Sequence, residues 1–418
     1  MTRIKREMTK LLNLQGVLVE NIQDTEETLI VSVLVQNKTA KCPRCGQTSR
    51  RLHQNKRHLV RDLPIGNREV MLYVNRRRFK CENCQKPFSE NLDFVVNKKP
   101  FTHRYAHAIT KQVIHSDVIN VAKNNKLTEE EVESMVMYVA QAITPIDLKS
   151  LKKLGIDEIS LVKGQGKFIV VLVDLEIHKL VGLVSERKQS KIKETMKGWG
   201  EDVLLQIEEV SMDMTGNYKS LVQKICPNAV VTVDRFHITK MVNEELNKAR
   251  IDQTKTAEAL NGKERAKLFG SLKGSKYTLL KSESKLSQKQ TEKLEQVKEA
   301  SPLIGIMHSL KEELYQIFEE SKNLGEGTLK IIDWLNKAQN YYKKSVSAIK
   351  RWFAEVVGYF ERRTTNGVVE GINNKLKLLK RCGFGFRNFK NFTIRALLLW
   401  HYPNRDSTLS TEDPRLSS

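Results

Sequence analysis

The sequence predicts a multi-domain chain: a β-rich N-terminal module, a short helical module, and an α/β core interrupted by a helical insertion. Three observations predict it. Residues 1–98 alternate strand-like stretches with two cysteine pairs. From Leu154 a three-strand meander gives way to alternating helices and strands, the pattern of a mixed sheet. Residues 251–350 are rich in Lys and Glu with helical period and no strand signal, and a last basic helix follows from Asn366.

In the N-terminal module, Leu29 to Val35 and Val70 to Val74 are apolar, β-branched runs that read as strands. Around them lie Cys42-x-x-Cys45 and Cys81-x-x-Cys84. In a reducing compartment this spacing signals metal rather than disulfide. Four thiolates make a tetrahedral site that suits structural Zn²⁺ and leaves no open position for catalysis. His53 and His58 read as surface residues among basic neighbours, with substitute ligands as the alternative. Arg76-Arg77-Arg78 is either a phosphate contact or a solvated strand end. Residues 99–150 read as helical. Val118 to Ala122 precede a polar turn, and Thr128 with Glu131 forms a capping box for the next helix. This is the grammar of a DNA-binding helix-turn-helix, although a plain helical hairpin reads the same.

The core begins with strand Ile156 to Val162, a hairpin turn at Lys163 to Gly166, strand Lys167 to Asp174 and strand Leu180 to Ser185. Helix Gln189 to Leu205, strand Ile207 to Asp213, helix Asn217 to Ile225, strand Ala229 to Asp234 and helix Phe236 to Arg250 follow. The first part of the core thus spans 151–250, the insertion 251–350, and the closing part 351–405. The tail 406–418 is polar and expected to be disordered.

The chain has 418 residues, with 71 Lys+Arg against 49 Asp+Glu, a net charge of +22. Such a charge favours a polyanion, and nucleic acid is the usual one. No apolar run is long enough to span a bilayer. Met1 to Lys10 lacks the apolar centre of a signal peptide. The expectation is a cytoplasmic, nucleoid-associated protein with no membrane partner.

Three acids carry the chemistry. Asp157 lies in the first core strand, Asp213 at the end of the fourth, and Glu370 on the late basic helix. One strand-end aspartate would mean little; the order of the three carries the weight. In a sheet of the ribonuclease H type the first and fourth strands are neighbours, so their carboxylates meet. Hard oxygen ligands suit a pair of Mg²⁺ ions, which can clamp an in-line attack on a phosphodiester. Glu158 and Asp174 are rivals, but Glu158 should face the other side of the sheet because strand side chains alternate. Asp234 can cap the helix that follows it or, with His237, support the carboxylates from behind. Asn373, Asn374 and Lys377 share Glu370's side of the helix, and Lys380 and Arg381 extend the charge, a face suited to DNA. Gly383 to Phe389 interleaves aromatics with a base and reads as a packed turn or a stacking surface. Cys226 and Cys382 read as buried small hydrophobes. Gly164-Gln165-Gly166-Lys167 lacks the rest of a phosphate loop.

The chain resembles bacterial insertion-sequence transposases of the DDE type, specifically the ISL-three family. The matching stretches are Cys42-Pro43-Arg44-Cys45-Gly46, Arg78-Phe79-Lys80-Cys81-Glu82-Asn83-Cys84 and Ser211-Met212-Asp213-Met214. Further on come Asp234-Arg235-Phe236-His237-Ile238, Asn366-Gly367-Val368-Val369-Glu370-Gly371-Ile372-Asn373-Asn374 and Arg381-Cys382-Gly383-Phe384-Gly385-Phe386-Arg387-Asn388-Phe389. They follow the family's order over nearly the whole chain. The resemblance implies a zinc-binding domain, a helix-turn-helix and a ribonuclease H-like core with a helical insertion. It implies Asp157, Asp213 and Glu370 as the catalytic triad, holding two Mg²⁺ or Mn²⁺. It also implies double-stranded DNA partners, the element's terminal inverted repeats and a target, on which the chain acts as a dimer or larger assembly. A nuclease that cleaves without joining, and a DNA-binding regulator with an inactive core, are the competing classes.

Overall fold

A computed structural model describes residues 2–142, 146–162, 167–364, 367–383, 386 and 388–402. The expected hairpin turn at 163–166 and the polar tail lie outside these residues, as does part of the turn after Gly383. The chain divides into two compact units, Met1–Pro145 with Cys382–Phe384 and the residues from Tyr402, and Ile146–Arg381 with Gly385–His401.

In the first unit, helix α1 (Arg3–Leu12) precedes strands β1 (Val17–Asp24), β2 (Thr28–Val35), β3 (Ala40–Lys41), β4 (Thr48–Ser49), β5 (Leu52–Ile65), β6 (Arg68–Lys80) and β7 (Pro87–Ser89). The main sheet runs β1-β2-β6-β5, with β7 on β6. Its core comes from alternate positions such as Val31, Val33, Leu72 and Val74. The gap between the cysteine pairs is filled mainly by the long β5–β6 hairpin. Of Arg76, Arg77 and Arg78 on β6, Arg77 turns inward and pairs with buried Glu90 at 2.6 Å. Helices α2 (His103–His115), α3 (Val118–Asn124) and α4 (Glu129–Gln141) follow, and α4 packs on both of the others. Thr102 caps α2. Thr128 and Glu131 form the expected capping box on α4, with reciprocal bonds of 3.2 and 2.9 Å.

The second unit holds β8 (Lys153–Val162), β9 (Lys167–Asp174), β10 (Lys179–Val184), α5 (Gln189–Lys197), α6 (Glu201–Gln206), β11 (Glu209–Met212), α7 (Gly216–Ile225), β12 (Val230–Val233) and α8 (Arg235–Glu258). The sheet order is β10-β9-β8-β11-β12. The first three strands are antiparallel, and β11 and β12 run parallel to β8. The helix expected over Gln189 to Leu205 is two helices. Gly198-Trp199-Gly200 separates them, and Gly200 sits at φ +100°, where a side chain is strained. Helix α8 runs unbroken through residue 250, where the insertion was expected to begin.

The helical region comprises α9 (Gly262–Leu272), α10 (Lys276–Leu280), α11 (Gln288–Ala300), α12 (Pro302–Glu320), α13 (Leu324–Ala338), α14 (Lys343–Arg351), α15 (Phe353–Val357) and α16 (Tyr359–Arg362). It shares one apolar core with the sheet, in which Leu154, Ile156 and Leu172 join Leu314, Ile331 and Trp334. Two large buried side chains there find backbone partners: Trp334 Nε1 donates to Leu310 O at 2.7 Å, and Tyr342 Oη to Met307 O at 2.6 Å. The opposite face of the sheet, with Val171, Val173 and Leu180, is covered by α17 (Gly367–Cys382) and α18 (Phe389–His401) through Val369, Ile372, Leu376 and Phe392. No helix among the described residues is long and apolar enough to cross a membrane.

Candidate active site

The register of β8 and β11 pairs Ile156 with Met212. The next residue in each chain is Asp157 and Asp213, so parallel pairing sets the two aspartates side by side at one end of the sheet. Asp157 faces α17. Its Oδ1 accepts the Glu158 N–H at 2.7 Å, and its Oδ2 accepts Asn373 Nδ2 at 2.6 Å. Burial pushes its pKa upward; the Glu158 N–H and nearby His237 oppose that, while the negative charge of Asp213 adds to it. Close docking of α17 needs Gly155, two residues before Asp157. A Cβ there would lie 2.8 Å from Leu175 Cδ2 and 2.9 Å from Val369 Cγ2.

Asp213 follows β11 with its side chain 41% exposed. Its Oδ1 accepts the Met214 N–H at 2.6 Å and lies 3.3 Å from His237 Nδ1. On its other side His237 Nε2 is 3.9 Å from Asp234 Oδ2. Asp234 is buried and caps α8, accepting the Phe236 N–H at 3.1 Å. An aspartate–histidine–aspartate row therefore runs from the end of β11 to the start of α8. Glu370 is exposed in the first turn of α17, three residues before Asn373, and shares the wall of a cleft with Asp234 and Phe236. Asp157, Asp213 and Glu370 do not form a tight cluster: among the described residues, only the four cysteines gather three or more ligand atoms within 4.8 Å.

The rivals are occupied elsewhere. Glu158 faces the opposite side of the sheet, bonded to Tyr218 Oη and 3.3 Å from Arg187 Nη1. Asp174 is buried and accepts the N–H groups of Glu176 and Ile177 at 2.9 and 3.2 Å, which closes a turn. Close in the chain to Asp213, Ser211 Oγ and Thr215 Oγ1 are buried without a hydrogen-bond partner, as is Oδ1 of Asn373. The three carboxylates themselves are hard oxygen donors, the chemistry that suits a hard cation.

The four cysteine sulfurs gather in the first unit. Cys42 Sγ lies 3.7 Å from Cys84 Sγ, and Cys45 Sγ 3.5 Å from Cys81 Sγ. Tetrahedral Zn²⁺ with bonds of about 2.3 Å sets its sulfurs about 3.8 Å apart, so the set fits zinc without His53 or His58. The N–H of Arg44 holds the Cys42 thiol down at about 6, against the opposing effect of burial, while the Cys45 thiol is pushed up to about 11 against the Gln47 N–H, by the neighbouring Cys81 thiol and by burial.

Two family models match the chain. The model of the ISL3 DDE transposases, described as transposase, matches residues 154–396, which include all three acids. The chain belongs to this transposase family. A second model, the zinc-finger of the IS204, IS1001, IS1096 and IS1165 transposases, matches residues 38–84, which include all four cysteines. The chain is similar to the transposase for insertion sequence element IS1001 of Bordetella parapertussis, 26% identical over 91% of this chain and 94% of that protein. It is also similar to the transposase for insertion sequence element IS1557 of Mycobacterium tuberculosis (strain CDC 1551 / Oshkosh), 25% identical over 87% of each.

The outer face of α17 in this transposase carries Asn374, Lys377 and Arg381, all exposed. Asn373, expected among the DNA contacts, is corrected: it is 4% exposed and turned inward onto Asp157. The apolar stripe Val369, Ile372, Leu376 and Leu379 faces the sheet, and position 373 falls within it. That spacing is the signal that places it on the buried side of the helix rather than at the surface. Lys380 is half-buried and reaches Ser160 O at 3.3 Å. Phe386 packs on Phe392, with ring centroids 5.1 Å apart. Cys226 is buried, and burial pushes its thiol up to about 11; Cys382 is exposed, contrary to expectation. The Glu158–Tyr218–Arg187 group had no sequence signal.

Proposed function

We propose that this transposase binds the terminal inverted repeats of its insertion sequence as double-stranded DNA, cleaves there, and joins the released 3′ end to a target. The observation that carries the reading is the pairing of Asp157 and Asp213 at the ends of parallel neighbours β8 and β11, with α17 pinned to Asp157 through Asn373. The strand order third-second-first-fourth-fifth is what a ribonuclease H-like core requires, and it supports that assignment. Asp157, Asp213 and Glu370 would hold two Mg²⁺ or Mn²⁺. Such ions, when bound, neutralise charge on the attacking and leaving oxygens of an in-line displacement.

The chain's own groups do the rest. Asn373 fixes the Asp157 carboxylate, and His237 orients that of Asp213. Asp234 fixes both α8 and the far side of His237. Asn374, Lys377, Lys380 and Arg381 line or flank the face that grips phosphates, so they act on every sequence alike. The zinc domain (1–98) and the helix-turn-helix (99–150) supply recognition of the ends, and two ends to be joined call for a dimer or larger assembly in the cytoplasm, at the nucleoid. The test offers purified protein, Mg²⁺ and a supercoiled target to a DNA fragment bearing the repeats that flank the gene. Joined products support the reading. Cleavage without joining makes the chain a nuclease, and binding alone makes it a regulator.

A further inference from the structure

Glu209 is fully buried on β11, four residues before Asp213. Its neighbours Val210 and Met212 join the core that the sheet shares with the helical region. Strand side chains alternate, so Glu209 and Ser211 face the other side of the sheet. Two hydroxyls meet the carboxylate there. Thr232 Oγ1 donates to Glu209 Oε1 at 2.8 Å, and Thr364 Oγ1 donates to Oε2 at 2.7 Å. Among the described residues Glu209 makes no ion pair. A buried carboxylate without a cation is costly, and an apolar side chain of similar size would pack there more cheaply.

What the carboxylate does, and an apolar group could not, is join three segments through directional bonds. Thr232 is on β12, two residues before Asp234. Thr364 lies between α16 and α17, six residues before Glu370. One side chain therefore ties β11, which leads into Asp213, to β12, which leads into Asp234, and to the stretch that leads into Glu370. Next to Thr364, Arg363 sits at φ +56° and donates from Nη1 to Phe318 O at 3.1 Å. Three residues beyond Glu370, Asn373 holds Asp157. Glu370 thus stands between two polar anchors, one ending on β11 and the other on Asp157 of β8. The rest of α17's inner face is apolar, through Val369, Ile372, Leu376 and Leu379. Apolar contact is non-directional and leaves a helix free to slide along its axis; hydrogen bonds at both ends of the first turns fix it.

We propose that Glu209 is a positioning residue of the cleavage site. Through Thr364 it sets where α17 begins on the sheet, and so the spacing between Glu370 and Asp213. This role rests on the reading of the three acids as the DNA-cleaving site.

The test removes one hydroxyl. Thr364→Val keeps the shape of the side chain, and Thr364→Ser keeps the bond. Mn²⁺ binding to the DNA-free protein, followed by electron paramagnetic resonance, gives a readout independent of cleavage. Thr364→Val should weaken that binding and slow end cleavage at saturating DNA, each by about ten- to a hundred-fold, the range for residues that orient metal-holding side chains. The DNA concentration for half-maximal cleavage should stay near wild type, and Thr364→Ser should restore both losses. Glu209→Met removes both acceptors at similar size. Adding Thr364→Val to it should cost nothing more, because the two residues act through one bond. Wild-type Mn²⁺ affinity in Thr364→Val overturns the proposal, even if its melting temperature falls, because the contact is then only a structural tie. A loss that Thr364→Ser fails to restore, or additive losses in the double variant, also overturns it. If Asp213→Asn binds Mn²⁺ and cuts DNA like the wild type, the reading of the acids fails instead, whatever Thr364→Val shows.

Discussion

The link between Asn373 and Asp157 gives the most quantitative prediction. Asn373 is nearly fully buried and donates to Asp157 Oδ2 at 2.6 Å. A hydrogen bond to a charged group is worth about 1.5–3 kcal/mol, or roughly ten- to 150-fold. Residues that orient metal-binding side chains cost about 10–100-fold in metal affinity or activity when removed. Asn373→Ala should therefore raise the Mg²⁺ concentration needed for half-maximal cleavage by about ten- to a hundred-fold. Its Oδ1 has no partner, so truncation also removes an unsatisfied atom and the loss of fold stability should be small. Asn373→Asp should be worse, because a second negative charge would face Asp157. The assay is a metal titration of end cleavage, with thermal melting and end binding measured on the same protein. Wild-type metal dependence and rate in Asn373→Ala would refute the reasoning and reduce the contact to packing.

Three further predictions follow from the same geometry. The protein should carry about one Zn²⁺ per chain at the cysteine cluster, and Cys81→Ser should release it and weaken end binding; full metal content in that variant would point to other ligands. Lys377→Ala should lower cleavage on every end sequence and reduce the salt slope of DNA binding by about one unit, whereas an unchanged slope would make the outer face of α17 a solvated surface. His308 is fully buried on α12, and burial, with Lys311 adding to it, pushes its pKa down to about 4. Its folded value lies below the unfolded one of about 6.5, so acid favours the unfolded chain: stability should fall as pH drops from about 6.5 toward 4, by about 1.4 kcal/mol per unit and about 3 kcal/mol at most. Urea melts of wild type and His308→Gln at pH 7 and pH 5 should show that difference for wild type and a smaller one for the variant.

Much of the core was legible because its signals are local. The β-branched runs 169–174 and 180–184 are strands buried on both faces. Thr128 and Glu131 announce the start of α4 by the hydrogen bonds they make within one turn. The rest depended on contacts between distant segments. Strand β5 is exposed over its first eight residues and has no apolar alternation there; pairing with β6 is what holds it extended. The break at Gly198 to Gly200 reflects a backbone angle that composition alone does not demand. The insertion's core is continuous with that of the sheet, so α8 crosses the expected boundary without a break. At the site, parallel pairing of β8 with β11 could be anticipated from the order of strands. The inward turn of Asn373 could be read only by asking which face of α17 carries the apolar stripe. The distance of Glu370 from the two aspartates is set by helix docking, which no local pattern encodes.

The central claim is that Asp157, Asp213 and Glu370 form one DNA-cleaving site. The most direct measurement compares Asp157→Asn, Asp213→Asn and Glu370→Gln with the wild type on end DNA in Mg²⁺, scoring cleavage and end binding on the same preparations. An amide keeps each side chain's shape and removes the charge that would hold the metal. The account predicts that each variant loses cleavage while binding ends with near-wild-type affinity. Near-normal cleavage by any one of them would contradict it and remove that residue from the site.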